Sequence, residues 1–349
     1  MKKPTQNSRS RLLWSVLFVI IAAATIWAVL AQSKSFSLRS LIDYTSEASK
    51  PWLAMALLSM LGFIVFEGAA LATICRAFGY PISHVRAFAY SASDIYVSAI
   101  TPSATGGQPA CAWFMIKDGI PGTVATVALL ANVSMYAVSI LVLGVIALLI
   151  RPGVLLSLGS LSRWLVFLGY LVQSVLAAFF IAPLLNTGLL HKICRKALHL
   201  LCRIRLLKKE EERQRSLDQK MEECAAHAHM MKERKRAMVM AFFFNLLQRV
   251  SVISVPFFVA LAFGEELTKA VDIWAVQCYT VIGANSVPIP GAMGASDYIM
   301  LDGFSKIIPL QNAVNFELLS RALSFYVCVA LCGITALIKY FYQRKRERE

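Results

Sequence analysis

Six long apolar runs constrain the fold of this chain more than any other feature of its sequence. A hydrocarbon core about 30 Å thick needs about 20 apolar residues of helix to cross it. The runs are Leu12–Ala31, Trp52–Phe78, Thr123–Ile150, Trp164–Leu185, Ala237–Phe263 and Ala313–Ile338. Because backbone polar groups in a bilayer must be satisfied within the segment, each run predicts a transmembrane helix. We therefore expect an all-α polytopic integral membrane protein.

The composition supports this expectation. Of the 349 residues, 58% are hydrophobic and 16% are charged, whereas soluble domains contain about 45–50% apolar and about 25% charged residues. The formal net charge of +15 favours cytoplasmic loops beside anionic lipid headgroups, and we expect no nucleic acid as a partner. The sequence contains no Walker A, G-x-S-x-G or H-E-x-x-H motif. We therefore expect no catalytic residue, cofactor or metal site.

Positive charge predicts the orientation of the chain, because cytoplasmic loops carry an excess of Lys and Arg. Four such residues precede the first run and five follow the last. Residues 191–236 contain 14 Lys or Arg against 7 Asp or Glu. We therefore expect both termini in the cytoplasm, together with a basic connector at residues 191–236. This connector is amphipathic or helical, with a solvated charged loop as the alternative.

Two further apolar segments, Ala87–Ile116 and Val271–Ile308, are interrupted by Pro, Gly and polar residues. If each of the six runs crosses once, the first segment must begin and end inside, and the second must begin and end outside. Each segment then enters and returns, either as a re-entrant hairpin or as a pair of short helices. Within one domain of residues 1–349, this predicts an inverted-topology repeat with residues 52–150 opposed to residues 237–338.

The interrupted segments share a Pro- and Gly-rich turn. Overlaid without gaps, Gly107 matches Gly291 and Asp118 matches Asp302. Secondary transporters place discontinuous helices of this kind around a binding site near the midplane. Backbone N–H groups at a half-helix N-terminus suit an anion such as a phosphate, although tight helix packing through small residues is the alternative.

Ionisable side chains inside the predicted membrane region are the other candidates, because each costs about 2.5–3.5 kcal/mol on insertion scales. They are Glu67, Asp94, Arg249, Asp297, Glu317 and Arg321. Arg249 either forks a phosphate or snorkels to the interface. Glu317 and Arg321 are four residues apart and so can pair locally or line a pathway. The predicted substrate-binding residues are Gly106, Gly107, Arg249, Gly291, Gly294, Asp297, Glu317 and Arg321.

Several of these motifs occur together in one known family. They are Arg76-Ala-Phe-Gly79, Pro102 with Gly106-Gly107, the late motif Pro288-x-Pro-Gly-x-x-Gly294-x-x-Asp297, and the helix of Arg321. Over residues 10–340 the chain resembles the transmembrane flippase domain of the lysylphosphatidylglycerol synthetase/flippase family, also called multiple peptide resistance factor. The late motif of that family has paired glycines and a Glu, where this chain has Ala292 and Asp297.

The resemblance implies a bacterial cytoplasmic-membrane protein that translocates an (aminoacyl-)phosphatidylglycerol-type lipid and has a role in resistance to cationic antimicrobial peptides. The implied partners are anionic or lysylated phosphatidylglycerol and a separate synthase. One alternative is a phosphatidylglycerol lysyltransferase that uses lysyl-tRNA, although the 46 connector residues leave no room for a synthase domain. The other is an accessory scaffold for a separate synthase. Glycolipid and polyprenyl-lipid substrates also remain open.

Overall fold

The computed structural model describes residues 45–46, 48–101, 105–186, 188, 191–192, 195–196, 210–285, 287 and 294–346. Regular secondary structure in these residues is helical throughout. The first predicted run, Leu12–Ala31, and the predicted site residue Gly291 lie outside the described residues.

Within the described residues, seven helices lie in the first part of the chain, up to and including the connector. They are α1 Lys50–Ala77, α2 His84–Ile100, α3 Gly107–Lys117, α4 Gly122–Ile150, α5 Pro152–Ser157, α6 Ser160–Leu185 and α7 Glu210–Glu233. Six more follow the connector. They are α8 Lys235–Ile253, α9 Val255–Ala262, α10 Leu267–Ala284, α11 Ala295–Phe304, α12 Leu310–Arg321 and α13 Cys328–Arg346, with a π-helical turn at Ala322–Val327 before the last.

Five segments are long and apolar enough to cross a membrane. They are Lys50–Ala77, Gly122–Ile150, Ser160–Leu185, Lys235–Ala262 and Asn312–Arg346. These segments coincide with five of the six predicted runs and confirm an all-α polytopic membrane protein. Each interrupted segment consists of two helices that pack against each other, α2 with α3 and α10 with α11. The structure thus has a pair of short helices at both places.

The first long helix of each half ends in the same sequence, Ala-Phe-Gly. Gly79 after α1 has φ +86° and Gly264 after α9 has φ +75°, a left-handed conformation that only glycine adopts at little cost. In each turn, the next residue donates its N–H to a carbonyl five residues back, from Tyr80 to Cys75 at 2.9 Å and from Glu265 to Ala260 at 3.1 Å. This is a Schellman cap, and it marks an internal repeat that the sequence analysis missed.

The first helices of the two halves run antiparallel. The ring of Trp52 lies 6.3 Å from that of Phe258, and the ring of Phe66 lies 6.4 Å from that of Phe244. Residues later in α1 therefore pack against residues earlier in the segment formed by α8 and α9. Opposite directions in matching helices are what an inverted repeat requires.

The halves also exchange contacts through their later helices. The second helix of each half packs against the last helix of the other half, α2 on α13 and α10 on α4. Glycines make these approaches possible, because a Cβ at Gly333 would lie 2.9 Å from the ring of Tyr96, and one at Gly144 would collide with Ile282. The two halves are therefore interlocked rather than merely adjacent. Their division at residues 52–150 and 237–338 stays our proposal.

The ungapped overlay of Asp118 on Asp302 places the two residues at different positions in their helices. Asp118 follows the end of α3, whereas Asp302 lies within α11. Asp302 accepts hydrogen bonds from the Gly159 N–H at 2.7 Å and the Ser162 hydroxyl at 2.6 Å, which ties α11 to the start of α6. Helix bounds align Gly107 with Ala295 rather than with Gly291, a shift of about one helical turn.

Asp118 fixes the end of α3 to α13. Its carboxylate accepts hydrogen bonds from Lys339 Nζ at 2.6 Å, the Tyr90 hydroxyl at 2.7 Å and Gln343 Nε2 at 2.8 Å. Burial by itself would raise the pKa of Asp118, but the hydrogen bonds from Lys339, Tyr90 and Gln343 outweigh it and hold the pKa below its usual value.

The described part of the connector is a docked helix. Thr123 Oγ1 at the start of α4 donates to Glu223 Oε2 at 3.0 Å. The ring of His227 meets that of Phe78 edge-on at 5.6 Å, and Cys224 is buried. The expectation of a helical connector is therefore confirmed for Glu210–Glu233, and the alternative of a solvated loop is wrong there.

Asp118→Asn should destabilise the protein by about 3–5 kcal/mol, because it removes one partner of a buried ion pair. The side chains of Lys339 and Asp118 are 11% and 5% exposed. Since the native pKa of Asp118 is lowered, its contribution is complete above the unfolded value of about 3.9 and is lost as the pH falls through the native value. Thermal melting in detergent micelles measures both effects.

The matched control is Asp272→Asn, which breaks a partly exposed ion pair with Arg151, 2.7 Å long. That change should alter melting only slightly, because solvent screens such pairs. Equal melting of Asp118→Asn and the unmutated protein at neutral pH would contradict the assignment.

Candidate functional site

A first cluster of charged side chains, the α1 cluster, consists of Glu67, Asp94 and Arg249. All three are at most 8% exposed. Glu67 Oε2 accepts from Gln248 Nε2 at 3.0 Å and from the Ser91 hydroxyl at 3.2 Å. The carboxyl groups of Glu67 and Asp94 face each other. A single guanidinium therefore faces two carboxyl groups in contact.

Arg249 does not snorkel to an interface. It lies in the middle of the apolar segment Lys235–Ala262 and is 6% exposed. Its guanidinium stacks on the rings of Tyr136 and Phe63, at 4.2 and 4.7 Å from the ring centres. Such cation–π contacts help to offset the cost of burying a charge. The alternative that Arg249 anchors at the membrane surface is therefore wrong.

A second cluster, the α12 cluster, consists of Asp297, Glu317 and Arg321. Arg321 Nε lies 2.7 Å from Asp297 Oδ1, and the carboxyl of Glu317 faces that of Asp297. The guanidinium stacks on the ring of Phe325 at 5.0 Å. Asp297 is therefore the ion-pair partner of Arg321, and Glu317 joins the cluster through Asp297. The two clusters share one composition, which is two contacting carboxyl groups and a stacked arginine.

One edge of the Arg321 guanidinium has no aligned hydrogen-bond acceptor among the described residues. Its Nε–H does not point at the nearby Asp297 oxygen, and its Nη2 has no hydrogen-bond acceptor among the residues that the structure describes. Arg321 is only 8% exposed, and a buried donor without a partner costs about 1–3 kcal/mol, more when charged. Nε–H and Nη2–H project side by side, in the geometry that matches two oxygens of a phosphate or carboxylate.

A carboxylate of the protein lies beside each half-helix N-terminus. Gly294, with φ +81°, donates its N–H to Asp297 Oδ2 at 2.9 Å and so caps α11. At the start of α3, a Cβ on Gly107 would collide with Asp94 Oδ1, and Gln108 Nε2 donates to Asp94 Oδ2. The glycines thus permit a turn and a close helix approach, and the geometry does not support a phosphate at these N-termini. The unpaired donors lie on Arg321 instead.

The predicted site residues fall into two groups. Asp297, Glu317 and Arg321 lie together, with Gly294 beside them. Gly107 and, from α8 of the second half, Arg249 lie near Asp94 of the first half, and Gly106 closes the neighbouring turn through its N–H to Thr101 Oγ1 at 3.0 Å.

Glu67 and Asp94 complete the α1 cluster, yet the sequence analysis left them out of the substrate-binding set. The sequence feature that could have identified them is a carboxyl group within an otherwise apolar or small-residue helix. Their contact with each other joins two helices across 27 positions of sequence, and no local spacing indicates it.

Comparison with known families identifies the domain. Residues 12–332 match the family described as lysylphosphatidylglycerol synthase TM region. The chain therefore belongs to this family, which confirms the resemblance noted in the sequence. No curated protein and no solved structure matches the chain. The protein is a multi-pass membrane domain related to lysylphosphatidylglycerol synthesis or flipping.

Gly107→Ala should destabilise the hairpin of α2 and α3, because the added Cβ collides with Asp94 Oδ1 and Ser98 Oγ. Overpacking of this kind costs about 1–3 kcal/mol. Melting in detergent micelles checks the prediction. The control is Gly153→Ala in α5, where a Cβ meets nothing within 4 Å. If Gly107→Ala melts no lower than Gly153→Ala, the close approach of Asp94 to α3 is refuted.

Proposed function

We propose that this member of the family moves a phospholipid of the (aminoacyl-)phosphatidylglycerol type between the two leaflets of the membrane. The observation that carries the proposal is the buried edge of Arg321, with two N–H donors that the described residues leave unpaired. In this proposal a phosphate of the headgroup accepts from Arg321 Nε and Nη2. An ammonium group of the headgroup then meets the carboxyl groups of Asp297 and Glu317.

The energetics of the membrane interior favour a charged headgroup at this position. A buried guanidinium with two unpaired donors gains about 1.5–3 kcal/mol from each charge-assisted hydrogen bond that it forms. Hydrocarbon supplies no such acceptor. A phosphate that enters between the helices recovers this free energy, which offsets part of the cost of taking the headgroup out of water.

The inverted architecture supports a pathway that both halves share. Phe63, which stacks on Arg249, and Phe325, which stacks on Arg321, border the same hydrophobic core. The α1 cluster, which joins Glu67 and Asp94 of the first half to Arg249 of the second, and the α12 cluster of the second half therefore both adjoin that core. Rocking of one half against the other around such groups is the alternating-access mechanism of inverted-repeat transporters. We place the protein in the bacterial cytoplasmic membrane with both termini inside, as the distribution of positive charge favours.

The test is translocation in proteoliposomes that contain lysyl-phosphatidylglycerol. An impermeant amine-reactive reagent, added after a delay, measures the fraction of the lipid that has reached the outer leaflet. Arg321→Gln should slow translocation about tenfold or more, because one charge-assisted hydrogen bond of about 1.4 kcal/mol or more is lost. Asp297→Asn should slow it similarly, because the cluster loses the carboxylate charge that pairs with the ammonium.

Two controls make the test decisive. Arg163→Gln removes an exposed arginine at the start of α6 and should leave the rate unchanged. Arg321→Lys keeps the charge without the two-pronged geometry and should give an intermediate rate. Full translocation by a folded Arg321→Gln protein would refute the proposed site. Loss of folding in both Arg321 variants, with no specific loss of rate, would assign the cluster to stability alone.

A further inference from the structure

We infer that headgroup binding at the α12 cluster releases a proton held between Glu317 and Asp297, so that the site exchanges a proton for an ammonium group. The inference rests on the proposed function and deepens it, because it specifies the charge of the preferred substrate. It also links lipid movement to the proton concentration on the side where the headgroup binds.

The starting point is the contact between the two carboxyl groups. Glu317 is 8% exposed and its carboxyl group faces that of Asp297, which itself lies 2.7 Å from Arg321 Nε. Two neighbouring carboxylates repel each other and both lack a hydrogen-bond donor, so a single guanidinium beside them favours one shared proton. The cluster in this state has one negative carboxylate, one neutral carboxyl and one guanidinium, and so carries no net charge.

Among the described residues, the elements packed against α12 place no second cationic side chain beside the α12 cluster. The helix α9, Val255–Ala262, has no titratable side chain. From α11, Asp297 faces Glu317, whereas Tyr298 is exposed and Asp302 is bound to Gly159 and Ser162.

From the π-helical turn, the phenol of Tyr326 faces Arg321, Asp297 and Glu317. The net charge of the cluster thus depends on one guanidinium, one shared proton and the charge of the bound substrate. A substrate cation is the natural replacement for that proton.

The exchange balances in charge and in atoms. A lysyl headgroup brings one phosphate and two ammonium groups, a net charge of one positive unit. Its phosphate oxygens accept from Arg321 Nε–H and Nη2–H, and an ammonium N–H donates to the carboxylates in place of the shared proton. That proton leaves to water, Glu317 becomes ionised, and the occupied site is neutral again. Unmodified phosphatidylglycerol brings a phosphate and no cation, so it gives the proton no replacement.

The unpaired donors are what distinguish the two clusters. In the α1 cluster, Glu67 and Asp94 form the same carboxyl contact. However, Arg249 there is enclosed between Phe63 and Tyr136 and donates to Gln248 Oε1 at 3.4 Å. Only Arg321 combines burial with an unpaired edge in the part of the chain that the structure describes. The exchange is therefore assigned to Glu317 rather than to Glu67.

Isothermal titration calorimetry tests the exchange on the purified full chain in detergent micelles. Short-chain lysyl-phosphatidylglycerol and short-chain phosphatidylglycerol are titrated at one pH in two buffers that differ in their heat of ionisation. The lysyl lipid should release about one proton per bound headgroup, and phosphatidylglycerol should release none. Glu317→Gln should bind the lysyl lipid more weakly, because one carboxyl partner of the ammonium is lost, and should release no proton on the binding that remains. The control Glu265→Gln, which changes a surface carboxylate 2.9 Å from Lys269, should release as much as the unmutated protein.

The outcomes separate this inference from the proposed function. If neither lipid binds, the proposed function fails. If the lysyl lipid binds without proton release, or if Glu317→Gln releases as many protons as the unmutated chain, the exchange is refuted and the proposed function stands. Infrared difference spectroscopy of the unmutated protein needs no variant. Loss of a protonated-carboxyl band on lysyl-lipid binding supports the exchange, and an unchanged band refutes it.

Discussion

The cost of placing charge inside a membrane governs this structure. A charged side chain there must find its partners within the protein, because the surrounding hydrocarbon offers none. Arg249 finds them in aromatic rings, a glutamine and the facing carboxyl groups. Arg321 is only partly hydrogen-bonded, because the neighbouring Asp297 carboxylate leaves one edge of the guanidinium without an acceptor among the described residues. That difference between two otherwise similar clusters is the basis of the substrate site that we propose.

The antiparallel packing of the two halves makes these clusters possible. The pairing of α1 with α8 and α9 brings Glu67 beside Gln248 and Arg249, residues that are far apart in the sequence. The exchange of helices between halves packs α2 against α13 and α10 against α4. Asp118 and Asp302 then fix these hairpins to α13 and α6.

Much of the fold was predictable, because hydropathy and loop charge act locally along the chain. Five predicted spans and both helix pairs coincide with the described helices. The overlay of Gly107 on Gly291 differs by about one helical turn from the register of the helix bounds, and it does not use the match of Ala77-Phe78-Gly79 with Ala262-Phe263-Gly264. The partners of the buried charged side chains were harder to predict. Whether Arg321 pairs with Glu317 on its own helix or with Asp297 on another depends on how helices pack, and spacing along one helix does not determine that.

The most direct test of the inverted arrangement is the sidedness of the two equivalent turns that follow α1 and α9. Tyr80 and Glu266 lie in these turns, and both are exposed. Each is replaced singly by Cys and labelled in intact bacteria with an impermeant thiol reagent, with the unmutated chain as background. Our account predicts that Glu266→Cys is labelled directly and that Tyr80→Cys is labelled only after permeabilisation. Labelling of both turns from the same side of the membrane would contradict the inverted repeat and the pathway built on it.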